Sequence, residues 1–245
     1  MTALAVVAAL AAALVPPAGW KPDVEAARTY SGGRQGLVSF HVRTERGRWS
    51  HDADRAVASA SVVKAMLMAA YLDEPGVRRR ALRAADMRLL RPMIVRSDNA
   101  AASRVRDIVG NDALARLAAR AGMTRFATHA LWGLSRITAR DQTRLWLHFE
   151  RFVPRRHRDT AMRLLRAIVP RQRWGVGRVR LPPGWQLHFK GGWGSGRGLV
   201  DHQVALLRRG EERLALAILT TGSPSHAYAK RTLRGVAERL LRNLP

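Results

Sequence analysis

Residues 58–72 read ASASVVKAMLMAAYL. Small and hydroxylated residues lead into an apolar run, Val62 to Leu72, in which Lys64 is the single charged side chain. An apolar stretch of this length, closed by Asp73-Glu74-Pro75-Gly76, is expected to be a buried helix, and burial takes Lys64 with it. The choice of lysine is informative. The chain has only four lysines (Lys21, Lys64, Lys190 and Lys230), the remaining 39 of its 43 basic residues being arginine. A position that needed charge alone would have been filled by arginine. A desolvated ammonium can give up its proton, whereas a guanidinium stays charged. With Ser61 one helical turn before it, Lys64 has the chemistry of a general base for a serine hydroxyl.

Ahead of this stretch, Pro22 to Tyr30 reads as a short helix, and Gly36 to Thr44 (GLVSFHVRT) alternates Val38, Phe40 and Val42 on one face, as a half-buried strand does. Residues 61 to about 170 carry helical periodicity with stop and start signals at Gly110-Asn111, Gly122, Thr138 and Asp141, and no strand pattern interrupts them. From Gln186 to Gly222 the pattern is three strands joined by glycine-rich and charged turns. The last of these, RLALAILT (213–220), is apolar on both faces and is expected at the centre of a sheet. Ser225 to Asn243 is an amphipathic helix with Leu233, Val236 and Leu240 on one stripe. The fold class expected is α+β: one antiparallel five-stranded sheet flanked by the N- and C-terminal helices, with a helical lobe inserted between early and late strands. Residues 21–60 and 175–245 are expected to form the α/β lobe and 61–174 the helical lobe.

At 245 residues with 47% apolar side chains the chain can bury a full core. It has no cysteine, which excludes disulfides, thiolate metal sites and a cysteine nucleophile. The thirteen-residue apolar run Ala3–Val15, ended by Pro16-Pro17, suits the core of an export signal and is too short to span a bilayer. Residues 1–20 are therefore expected to be a signal peptide or hydrophobic leader, and the protein secreted or held in the cell envelope. The formal charge of +25 raises the question of nucleic acid. The arginines are dispersed over nearly every helix, which points to a basic surface attracted non-specifically to anionic wall polymers, with no specific nucleic-acid site. No histidine spacing suits a metal, so no cofactor is expected.

Three short motifs follow one another: Ser61-Val62-Val63-Lys64, Ser97-Asp98-Asn99 and Lys190-Gly191-Gly192. In this order, and from about Gly33 to the C-terminus, the chain resembles the class A β-lactamases and penicillin-binding serine hydrolases, whose signature is S-x-x-K, S-D-N and K-T-G. The resemblance implies Ser61 as the acylated nucleophile, Lys64 as its base, Ser97 as a proton relay and Lys190 as the positive charge beside it. It implies that Asn99 binds the substrate amide, that Asp98 holds its loop, and that the amides of Ser61 and Trp193 form an oxyanion hole. Gly191, Gly192, Trp193 and Arg197 complete the substrate-binding set, and a β-lactam or peptidoglycan peptide is the substrate of an enzyme acting as a monomer.

Two departures qualify that expectation. Gly191 stands where the family has a threonine or serine hydroxyl. Between Asn99 and Lys190 the only glutamate is Glu150, in a predicted helix, and the loop stretch MTRFATHALWGLSRITARD (123–141), where the family carries its deacylating glutamate, has none. Slow release of penicilloyl esters is expected. A non-catalytic wall-binding or penicilloyl-trapping protein of the same fold and a nucleic-acid-binding protein stand as the alternatives.

Overall fold

In the computed structural model, which describes residues 19–195 and 198–245, the helix expected from the opening stretch is α2 (Lys64–Asp73), and all of its residues from Lys64 to Leu72 are buried. It is entered through a tight 3₁₀ turn, Ala60–Val63, so Ser61 lies in the turn and Lys64 opens the helix proper. Of the leader expected over residues 1–20, residues 1–18 lie outside the described residues, as does the expected substrate arginine, Arg197.

The sheet is built from β1 (Leu37–Thr44), β2 (Arg48–His51), β5 (Gln186–Gly194), β6 (Val200–Arg209) and β7 (Glu212–Thr221), in the spatial order β2-β1-β7-β6-β5 with every pairing antiparallel. The apolar RLALAILT stretch is the middle strand, buried from Leu214 to Thr220. Helices α1 (Val24–Gly32) and α8 (His226–Leu240) pack together as the flanking layer. Their first turns are closed by side-chain caps, Asp23 accepting from the Ala26 amide and Ser225 from the Tyr228 amide. Such caps satisfy amides that the helix itself leaves unpaired.

The sequence pattern understated the burial of β1. Ser39 and His41, on the face expected to meet water, are buried as fully as Phe40 and Val42. The cause is α6 (Ala139–Leu147), which lies across that face and bonds through Thr143 Oγ1 to His41 Nδ1 at 2.6 Å. The segment from 61 to 170 is not uninterrupted helix either. It contains the two-residue strand β4 (Arg136–Ile137), which pairs with β3 (Val57–Ala58) just ahead of the segment, both too short to leave a periodic signal. Between them run α3 (Pro75–Arg78), α4 (Ala84–Val95) and α5 (Asn99–Arg120), the last broken at Gly110, whose φ of 69° ends one helical segment and starts another. After α6 comes α7 (Arg158–Arg166), which packs against α4 and β5.

Candidate active site

Ser61 is set by two neighbours. Ala60, just before it, has φ of 44°, a left-handed conformation that is strained for a residue with a Cβ. Upstream, Ala58 is tied down by His202 in β6, whose Nε2 lies 2.9 Å from the Ala58 carbonyl while its Nδ1 accepts the Thr220 amide. That pair of bonds fixes the tautomer with hydrogen on Nε2, and burial keeps the ring neutral with its pKa lowered to about 4. From the other side, β5 is pressed against the same turn. A Cβ placed on Gly192 would fall 2.7 Å from Ser61 N and 2.8 Å from Val62 N, so only glycine allows this approach.

Lys64 is fully buried and burial lowers its pKa to about 7. Its Nζ lies 2.6 Å from the Ser97 carbonyl oxygen, 2.7 Å from Asn99 Oδ1 and 3.3 Å from Ser97 Oγ. A neutral amine has two N–H donors and one lone pair. The two donors match the two carbonyl-type oxygens, which leaves the lone pair to accept a hydroxyl proton. Ser61 Oγ is not among the hydrogen-bond partners of Lys64 in the described residues.

Ser97 also carries positive φ, 58°, between α4 and α5. Its Oγ accepts from Lys190 Nζ at 2.9 Å, so two amines converge on one hydroxyl. Lys190 is buried and donates a second bond to the Gly191 carbonyl (2.7 Å). Burial, and the nearby Lys64 charge, hold its pKa well below that of an ordinary lysine. Asp98 caps α5, accepting the Ala101 amide at 2.8 Å, which fixes Ser97 and Asn99 on either side of it.

Residues that the sequence did not single out complete the cleft. Trp132, in the loop where the family carries its glutamate, places its ring 4.8 Å from Lys64 Nζ and donates through Nε1 to Ser103 Oγ. Trp174, buried behind the cleft, lies against β5, where its ring would come within 3.0 Å of a Cβ on Gly191. A hydroxyl-bearing residue there, as in the family pattern, would require the indole to give by a few tenths of an ångström, and Trp174 in turn meets Trp193 edge-on at 6.0 Å. Both carboxylates that could have substituted for the missing glutamate are engaged away from the cleft. Glu150 is ion-paired with Arg213 and Arg208, and Asp141 accepts the Thr124 and Arg125 amides and pairs with Arg144. His129 lines the cleft, but its Nδ1 accepts the Leu131 amide, which leaves Nε2 as a donor.

The cleft itself has a volume of about 750 Å³ and is lined by Ser61, Ser97, Asn99, Trp132 and Trp193 among others. A buried lysine of lowered pKa beside a serine in a strained turn, with a second serine–lysine pair across it, is the arrangement of a serine acyl-transfer site. The fold is that of the class A β-lactamases. Solved structures that match include the β-lactamase of Sphaerobacter thermophilus (21% identity, TM-score 0.77, covering 90% of this chain and 97% of that one). The chromosome-encoded β-lactamase of Vibrio parahaemolyticus matches at 14% identity and TM-score 0.76, over 91% and 98% of the two chains. The class A β-lactamase of Mycobacterium abscessus does so at 17% and 0.74, over 91% and 99%. The sequence profile of the beta-lactamase enzyme family matches residues 81–244, about two-thirds of the chain, and the chain belongs to that family. Ser97, Asn99 and Lys190 fall within the matched residues, whereas Ser61 and Lys64 precede them. No curated protein matches the chain by sequence.

Proposed function

We propose that the protein is an active-site serine hydrolase that works by acyl transfer on a β-lactam or a D-alanyl cell-wall peptide and releases penicilloyl esters slowly. The observation that carries this reading is Lys64: a buried amine with pKa lowered to about 7, held among the Ser97 carbonyl, Asn99 Oδ1 and the Ser97 hydroxyl, one turn from Ser61. Lys64 takes the Ser61 proton as Oγ attacks the carbonyl carbon. The amides of Ser61 and Trp193 meet the developing oxyanion, an interaction worth a few kcal/mol. Ser97, fed by Lys190, passes a proton to the departing amine, and Asn99 divides its amide between Lys64 and the substrate.

Deacylation needs a second base to activate water. No aspartate or glutamate is among the described residues that line the cleft, and the Trp132 ring stands over Lys64. Loss of a general base costs a factor of about a hundred to ten thousand in rate. These features equally support a second reading, a penicilloyl-trapping protein that acylates and stops. The test is intact-protein mass spectrometry after a penicillin is added and the excess removed. A mass gain on Ser61 that decays over minutes or longer supports the hydrolase, and one that never decays supports the trap. Turnover at many per second with no adduct, or no adduct with any β-lactam, sinks both. Action on wall peptides fits the export expected from Ala3–Val15, and the +25 charge would hold the protein near anionic polymers without base-specific contacts.

A further inference from the structure

Among the described residues only four large apolar side chains stand exposed, and three of them ring this one cleft: Leu37 (50% exposed), Leu131 (66%) and Trp193 (37%). Their placement is built into the fold. Leu37 pairs with Thr221, Thr221 with Val200, and Val200 with Gly194, so the end of the sheet presents one row across four strands, and all four of these residues line the cleft. Leu131 comes from the facing loop, next to Trp132. Exposed apolar side chains scattered singly mean nothing, but a cluster at a concave site marks what that site buries.

The charges at the same cleft are of one sign. Arg55 and Arg136 line it, and none of the described lining residues is acidic. Arg55 is paired with Asp52. Arg136 donates to the Ala56 carbonyl at 2.6 Å and has no acidic partner among the described residues. A ligand arm bearing an ammonium would therefore meet an uncompensated guanidinium and no carboxylate.

Resting on the reading of Ser61 as the acylated group, we infer that the acyl donor of this site carries a bulky apolar arm with no positive charge, so that an arylacetyl amide is accepted and an amino-bearing arm is rejected. The free volume of the cleft, about 750 Å³, leaves space for such an arm beside the reacting amide. Within the proposed function this favours arylacetyl β-lactams and disfavours stem peptides whose side arm ends in a free amine.

The experiment separates preference from chemistry by measuring equilibrium binding to full-length Ser61→Ala, which cannot acylate. Quenching of cleft tryptophan fluorescence reads binding of three penicillins with a common nucleus and carboxylate: acetyl, phenylacetyl and phenylglycyl. The phenylacetyl compound is expected to bind at least about tenfold tighter than the acetyl one. It is also expected to bind about fivefold or more tighter than the phenylglycyl one, which adds only an ammonium. Leu131→Ser, at an exposed position with little packing to lose, should shrink the first gap, and Arg136→Gln the second. Equal binding of all three, an ammonium that binds as well as hydrogen, or no binding at all overturns the inference. Failure of the acyl-transfer reading is seen separately, as wild-type protein that gains no mass whatever the binding order.

Discussion

The sharpest consequence of the buried Lys64 is a pH profile. With its pKa lowered from 10.5 to about 7, the lysine is neutral in about one molecule in ten at pH 6, in half at pH 7 and in about nine in ten at pH 8. An ordinary lysine would be neutral in only about one in three thousand at pH 7. If neutral Lys64 is the base, the second-order rate of Ser61 acylation by a fluorescent penicillin should rise about tenfold from pH 6 to pH 8 and level off above that. Lys64→Arg keeps the charge but cannot lose the proton, so its acylation should fall by a factor of about a hundred or more at every pH. The same shift has a thermodynamic signature. Between pH 7 and 10.5 the unfolded chain holds a proton that the folded one has lost, so stability rises with pH across that window. Lys64 accounts for at most about 5 kcal/mol of that rise, so the rise should be smaller in Lys64→Met than in wild type, what remains coming from Lys190, whose pKa is also lowered. A flat acylation profile between pH 6 and 8, or Lys64→Arg labelling within a few-fold of wild type, would refute the assignment of Lys64 as base.

Gly192→Ala puts a methyl 2.7 Å from Ser61 N, against backbone that cannot swing aside, and should abolish acylation while lowering the melting temperature. Retention of near-normal labelling would show that β5 does not press on the nucleophile turn. Gly191→Thr should lower the melting temperature, because its Cβ would lie 3.0 Å from Trp174, and should lower it less when introduced into a Trp174→Ala background. A single variant as stable as wild type, by thermal melt, contradicts this. His41, His188 and His202 are all buried with pKa values lowered to about 4, by burial in each case and by neighbouring arginines for the first two. Each contributes stability that is present above pH 6.5 and lost as pH falls toward 4, about 3 kcal/mol per ring. Urea titrations should show stability falling steeply through that window. A midpoint unchanged between pH 6.5 and 4 would mean that these rings are not held neutral.

The fold was legible because its large elements carry period and punctuation. The apolar run after Ser61, the two-faced apolar strand 213–220 and the stripe of α8 all sit where the pattern places them. Burial of Ser39 and His41 was not legible, since polar residues read as solvent-facing until a helix from a distant part of the chain is laid over them. The site was legible where chemistry fixes residue type, as at Lys64 in an arginine-rich chain. It was opaque where space decides. Nothing in Arg173-Trp174-Gly175 announces that an indole fills the room beside Gly191, and nothing around Trp132 announces a ring beside a buried amine. The left-handed backbone at Ala60 and Ser97 was equally hidden, because neither is the glycine that would have signalled it.

Those two residues have a consequence for how this chain can drift. A non-glycine residue held in such a conformation costs about 1–3 kcal/mol, and here two such costs sit immediately beside the nucleophile and at the relay. Replacing Ala60 by glycine relieves its strain and removes no side-chain hydrogen bond, so a stabilising step open to this gene is also one that loosens its active site, whereas at Ser97 the hydroxyl is the partner of two buried lysines and glycine would leave them short of an acceptor. A lineage selected only to remain folded would take the step at 60, and one selected for acyl transfer would have to refuse it. Ala60 therefore serves as a reading of descent: a homologue that keeps the three motifs but carries glycine before the serine has been released from catalysis while its motifs still advertise it.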